Sequence, residues 1–182
     1  MKNEIFKKDL YRYYGKQKET LRERLLRPIE LRYIRTLRQA QASSNGLKRI
    51  YYKLKLRRLS AKSQIQIPAS TSIGEGFYIG HTGRVIINAA AKLGKNINIA
   101  TGVTIGRENR GKRKGVPHIG DNVWIGTNSV IVGAITIGND VLIAPLTLVN
   151  FDVPSHSIVI GNPAKIISRE YATEGYINNT VQ

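Results

Sequence analysis

The hydrophobic positions of this chain follow two different periods in two parts of the sequence. In the first third they recur at helical spacing. Ile29, Tyr33, Leu37 and Ala40 mark one stripe, and Leu47, Ile50, Tyr51 and Leu54 mark another at i, i+3, i+4, i+7. Pro28 suits the opening turn of the earlier helix, where its fixed φ fits and its missing N–H costs nothing. Ser43-Ser44-Asn45-Gly46 is a turn signal between the two stripes. Residues 4–26 are also predicted to be helical, so residues 1–63 read as one helical module.

From residue 64 a six-residue period takes over. Ile67, Ile73, Ile79 and Val85 are spaced by six; after a two-residue shift come Ile87, Leu93, Ile99 and Ile105. The series resumes at Ile119, Ile125, Ile131, Ile137, Ile143 and Val149. Glycine follows the aliphatic residue at Gly74, Gly80, Gly94, Gly106, Gly120, Gly126 and Gly138. Such a period matches neither a 3.6-residue helix nor simple alternation, but it matches a coil of short strands and tight turns that repeats its inward side chain. Three hexads make a triangular coil of about 18 residues, and stacked coils rise by ~4.8 Å each. The aliphatic positions then stack into a continuous core. The prediction is a mainly β chain: a parallel β-helix over 64–167 behind a basic helical module. Residues 168–182 form a C-terminal tail, poor in apolar residues and expected to be partly disordered. Residues 107–118 carry five basic side chains, two glycines and no repeat hydrophobe. They read as a loop extruded from one corner of the coil, the kind of segment that lines sites.

Composition narrows the chemistry. None of the 182 residues is cysteine, which removes disulfides, thiolate zinc sites and a cysteine nucleophile. The 29 Lys and Arg against 12 Asp and Glu give a net charge of +17. Residues 1–60 hold 18 of those basic and five of the acidic side chains, so the charge belongs mainly to the helical module. Its partner classes are nucleic acid, an anionic membrane face or an acidic substrate. Six of the nine tyrosines fall in the same segment (Tyr11, Tyr13, Tyr14, Tyr33, Tyr51, Tyr52). They can stack on bases, sit at a lipid interface, or cover apolar surface of the neighbouring domain. No run reaches the ~18–20 apolar residues of a membrane span. No uninterrupted apolar stretch follows Met1-Lys2-Asn3-Glu4, which predicts no signal peptide and makes the cytoplasm the default compartment.

The repeats, with Val123-Trp124-Ile125-Gly126 and the closing Gly161-Asn162-Pro163-Ala164-Lys165, resemble the hexapeptide-repeat acyltransferases with a left-handed parallel β-helix. Gly80-His81-Thr82-Gly83-Arg84-Val85-Ile86-Ile87-Asn88 is similar to the serine acetyltransferase-like branch, which includes O-acetyltransferases of polysaccharide synthesis. The resemblance implies a homotrimer that takes acetyl-CoA as acetyl donor in a groove between prisms. It also implies His81 as the catalytic histidine, with Gly126, Thr127, Ala144, Pro145 and Lys165 at the cofactor. In true serine acetyltransferases an Asp precedes the catalytic His, where this chain has Gly80. A second Asp falls at Gln66, and a loop His that contacts the amino acid carboxylate falls at Val116. These departures point to a sugar or polysaccharide precursor as acceptor, with L-serine as the alternative.

Acetyl transfer to an alcohol needs a base, and histidine, with a reference pKa of about 6.5, suits that role. His81 is expected to take the hydroxyl proton as the oxygen attacks the thioester directly, with no covalent acyl-enzyme. Gln66, Asn88 and His118 are the candidate acceptor contacts, although Asn at a coil corner also serves turns. Trp124 reads either as a wall of the groove or as a packing residue, and His156 as a turn residue. His81, His118 and His156 are 37 and 38 residues apart, about two coils each, and no metal site is expected from them. The basic helices predict peripheral contact with an anionic membrane or attraction of a carrier-linked sugar. A non-catalytic trimeric scaffold that binds nucleic acid or a partner through these helices is the remaining alternative, with nucleic acid the weaker expectation.

Overall fold

A computed structural model describes residues 4–182. The first three residues of the stretch read for a leader, Met1 to Asn3, lie outside the described residues. Four helices precede the β-region: α1 (Glu4–Tyr14), α2 (Leu21–Leu25), α3 (Ile29–Ala42) and α4 (Gly46–Ser63). The helix predicted over residues 4–26 is therefore two. Gly15 at φ 65° closes α1, its N–H donating to Tyr11 O, and a new start follows at Thr20. There Thr20 and Glu23 form a capping box, the hydroxyl accepting from Glu23 N and the carboxylate from Thr20 N. The Lys16 ammonium, with the Thr20 contacts second, holds the Glu23 carboxyl down at about 2.

The repeats wind into a three-sided prism. The first coil is β1 (Ile65–Gln66), β2 (Ser72–Ile73) and β3 (Tyr78–Ile79); the second is β4 (Val85–Ile87), β5 (Lys92–Leu93) and β6 (Asn98–Ile99). The third is β7 (Thr104–Gly106), β8 (His118–Ile119) and β9 (Val123–Ile125); the fourth is β10 (Val130–Val132), β11 (Thr136–Ile137) and β12 (Val141–Ile143). The prism closes with β13 (Leu148–Val149), β14 (Ser157–Gly161) and β15 (Ala164–Ser168). The three faces are parallel ladders in the orders β1-β4-β7-β10-β13, β11-β8-β5-β2 and β15-β14-β12-β9-β6-β3; only β14 and β15 run antiparallel. The fold class read from the six-residue period is this parallel β-helix with an N-terminal helical part. Ile65, Ile79, Val85, Ile99, Ile105, Ile125, Ile131 and Ile143 are fully buried in the ladder.

Helix α3 plugs the open end of the prism. Leu31, Tyr33, Ile34 and Leu37 are buried in the same cluster as the first coil's Ile65, Ile67 and Phe77. The Tyr33 hydroxyl accepts from Ile67 N and donates to Ile67 O, and burial pushes its pKa up to about 12. Helix α1 lies against the third face, where the Tyr13 ring sits 4.4 Å from Tyr78 and its hydroxyl bridges Ile79 N and O. These tyrosines therefore cover apolar surface of the prism. The second stripe behaves otherwise. Helix α4 buries Leu56, Leu59 and Ser63, while Leu47, Ile50, Tyr51 and Leu54 face out.

The tail is ordered, contrary to the expectation from its composition. Asp140 accepts from the backbone N–H groups of Ala172 and Thr173 and from the Thr173 hydroxyl, and it meets His156 Nδ1 at 2.9 Å. Burial alone would raise the Asp140 carboxyl, but these hydrogen bonds outweigh it and lower the pKa. Ala172 and Ile177 are buried, and Arg12 donates to Asn178 O, Gly76 O and Asn98 Oδ1. A few polar anchors do the work that apolar residues would otherwise do.

Candidate functional site

His81 stands at the corner between the third and first faces, and that corner is longer than those stacked on it. From Ile79 to Ile87 is eight residues, whereas the matching steps Ile99 to Ile105, Ile125 to Ile131 and Ile143 to Val149 are six. The two-residue shift in the repeat is therefore a bulge that pushes residues 80–84 outward. Gly83 N donates to Ser63 O, and the Thr101 hydroxyl donates to Thr82 O, which ties the bulge down on both sides. Gly83 is at φ 126°, a conformation that favours glycine. His81 is exposed and has no hydrogen bond or ion pair among the described residues. Both ring nitrogens are therefore free for a reacting group.

The ladder aligns the other candidates with it. One residue beyond the paired Ile79, Ile99, Ile125 and Ile143 stand Gly80, Ala100, Gly126 and Ala144, followed by His81, Thr101, Thr127 and Pro145. Ala144 N donates to Val159 O, and Lys165 pairs with Ile160 on the last strand. His81, Gly126, Thr127, Ala144, Pro145 and Lys165 thus share one edge of the prism. From β3 to β15 is five strand spacings, about 24 Å at ~4.8 Å each. Such an edge suits a long, thin ligand that carries its reactive group at one end and an anionic group near Lys165.

Two glycines on this edge have different reasons to be there. A Cβ at Gly126 would sit 2.6 Å from Pro145 N, so the coil above demands glycine whatever binds outside. At Gly80 the nearest atom to a Cβ would be Tyr78 Cε1 at 3.6 Å, ordinary contact, so packing does not dictate its identity. Gly126→Ala is expected to lower stability by about 1–3 kcal/mol, because the clash is with backbone rather than a movable side chain. A denaturant titration checks it.

The remaining candidates lie elsewhere. Gln66 and Asn88 line an open cleft of about 690 Å³ together with Lys53 and Arg57 of α4, and His81 is not part of it. The Gln66 side chain has no partner among the described residues, whereas Asn88 Oδ1 accepts from Ala90 N and so serves the turn. His118 opens β8 on the second face, in a row with Lys92 and Thr136, and does not meet His81 within one chain. The extruded loop leaves at the corner between the first and second faces and folds back on itself through Glu108 and Gly115, with Arg113 on Glu108 at 3.2 Å. Trp124 packs within the chain: Tyr176 of the tail meets it edge-on at 4.9 Å, beside Leu142 and Ala172. His156, at φ 57°, is a corner residue bound to Asp140. Among the described residues there is no group of three or more His, Asp or Glu that could hold a metal.

The comparisons with known proteins agree with this architecture. Residues 117–150 match the bacterial transferase hexapeptide family (six repeats). Serine acetyltransferase 2 of Arabidopsis thaliana is 39% identical over 110 residues, 60% of this chain and 34% of the plant protein. The serine acetyltransferase of Helicobacter pylori is 34% identical over 106 residues, covering 58% of this chain and 62% of its own. Among solved structures, the Neisseria gonorrhoeae serine acetyltransferase in complex with serine superposes with a TM-score of 0.71 at 32% identity. That match covers 92% of this chain and 68% of the other. The Brucella abortus serine acetyltransferase gives 0.74 at 26% identity, covering 94% and 70%. The chain spans about a third of the length of the plant relatives it matches.

The repeats and their ladders define a hexapeptide-repeat parallel β-helix protein. Within that class, the chain belongs to the serine acetyltransferase-like branch.

Proposed function

We propose that this protein is an acetyl-CoA-dependent O-acetyltransferase with His81 as general base. The observation that carries the reading is the single edge on which an unpaired histidine, displayed on a two-residue bulge, precedes the row Gly126, Thr127, Ala144, Pro145 and Lys165. Bound there, acetyl-CoA supplies an activated acetyl group. His81 takes the acceptor's hydroxyl proton as the oxygen bonds to the thioester carbonyl carbon. Collapse of the tetrahedral species breaks the C–S bond, and the imidazolium returns its proton to the departing thiolate. Lys165, exposed and without an ion-pair partner among the described residues, neutralises phosphate at the far end.

L-serine is the acceptor that the relatives support, and here it takes precedence over the sugar expected from the sequence alone. Similar proteins from Arabidopsis thaliana, Helicobacter pylori and Staphylococcus epidermidis are serine acetyltransferases. The basic residues of the extruded loop suit a carboxylate. In this reading the working unit is a homotrimer in which one copy's loop approaches the next copy's His81 edge, since the two lie on different edges of one prism. A second reading, a sugar hydroxyl, is favoured by the absence of a carboxylate at Gly80, next to His81, and at Gln66.

Release of free CoA thiol from acetyl-CoA tests the proposal, and a chain without cysteine adds no background to a thiol reagent. Serine-dependent thiol release is the expected result. Release with sugars and none with serine moves the acceptor to the second reading. No release with either, and no acetyl-CoA binding by calorimetry, overturns the enzyme reading and leaves the scaffold.

A further inference from the structure

Helix α4 has two apolar faces, and the fold uses only one. Leu56, Leu59 and Ser63 turn inward against α3 and β1. On the opposite side Leu47, Ile50, Tyr51 and Leu54 are 81%, 57%, 59% and 55% exposed, an unbroken stripe at i, i+3, i+4, i+7. Arg58 continues that stripe one turn on. At 100° per residue, Lys48, Lys55 and Lys62 flank it on one side, and Lys53 and Arg57 on the other. The helix holds seven basic residues and no acidic one, and none of the seven pairs with a carboxylate among the described residues.

We propose that the outer face of α4 is a docking face for an anionic lipid bilayer, lying in the plane of the interface. The stripe enters the acyl boundary, and the flanking lysines and arginines lay their methylene stems along it while their charges stay at the headgroups. Charge selects this occupant. A second copy meeting it face to face across a two-fold axis would set seven positive charges against seven with no carboxylate on either helix. Nucleic acid accounts for the charges but leaves the exposed Leu and Ile unburied, because phosphates are met by cations and not by aliphatic side chains. A lipid surface satisfies both observations at once. No described helix is long and apolar enough to cross the membrane, so the contact is peripheral.

Sedimentation of the full chain with vesicles, without acetyl-CoA, tests the face independently of catalysis. The protein is expected to bind phosphatidylcholine vesicles containing phosphatidylglycerol, and to bind pure phosphatidylcholine far more weakly. Ile50→Asn/Leu54→Asn removes apolar surface that the fold leaves more than half exposed and is expected to weaken partitioning at least about tenfold. Lys48→Gln/Lys55→Gln/Lys62→Gln is expected to weaken it about 100-fold. Circular dichroism of each variant confirms that α4 is retained. Equal binding to neutral and anionic vesicles overturns the proposal, as does unchanged binding by the Asn variant. Tight duplex DNA binding that ignores Ile50→Asn/Leu54→Asn would assign the charge to nucleic acid instead. Concentration-dependent association of the free protein, lost in that same variant, would assign the stripe to a second copy.

Discussion

His81→Ala is expected to lower kcat for acetyl transfer by about 100- to 10,000-fold, with the KM for acetyl-CoA within a few-fold of wild type. The bracket follows from what remains. On the proposed reading the donor is held by the edge above, which the substitution leaves intact, so positioning still contributes while the proton acceptor is lost. Because His81 makes no hydrogen bond to the fold among the described residues, its removal should also leave the melting temperature nearly unchanged. That separates it from His156, whose ring meets Asp140 at the point where the tail is anchored. Near-wild-type turnover by the alanine variant would remove His81 from the mechanism.

Most of the β-helix was legible in the sequence, and with it the rows of residues that share an edge, for a physical reason. A six-residue period with one inward aliphatic residue fixes the register of every face, and register determines which residues share an edge. Gly126 and Ala144 each follow a repeat aliphatic residue, so their alignment comes from counting hexads, whereas Lys165 reaches that edge only through the antiparallel β14–β15 pairing. The bulge was visible only as a shift of two between Val85 and Ile87; its location at the His81 corner needed the pairing of Ile79 with Ile99 and of Ile87 with Ile105. Short-range patterns carried less. The stripe from Leu47 to Leu54 has helical spacing, but spacing gives no direction, and α4 buries the opposite side. The ordering of the tail depends on Asp140, more than 30 residues away, and on Arg12 at the far end of the chain. Interactions that long leave no local signature.

Arg38→Met is expected to cost about 3–5 kcal/mol, more than any other single change considered for this fold. Arg38 is buried in α3, where its guanidinium grips both oxygens of Asp9 from α1, at 2.8 and 3.1 Å. It also donates to Ile73 O at 2.8 Å and to Gly74 O at 2.6 Å, at the end of the first coil's β2. Asp9 in turn accepts from Phe77 N. One ion pair thus fastens two helices to the first turn of the prism. Burial pushes the Asp9 carboxyl above its ordinary range, with Arg38 pulling the other way. Without Arg38 nothing comparable opposes burial, so the raised value climbs further. A carboxyl raised in the folded state costs nothing below its unfolded value, and it destabilises as the pH rises through the folded one. The deficit of Arg38→Met should therefore shrink as the pH is lowered from neutral. Many buried pairs can be replaced by apolar residues at little cost. This one should resist, because Asp9→Leu/Arg38→Met still strands Ile73 O, Gly74 O and Phe77 N, at about 1–3 kcal/mol for each group left without a partner. Urea titrations of both single variants and the double decide the matter. A double variant as stable as wild type would reduce the pair to a replaceable contact, whereas one that stays unstable would identify it as the clasp that seats the helical plug on the β-helix.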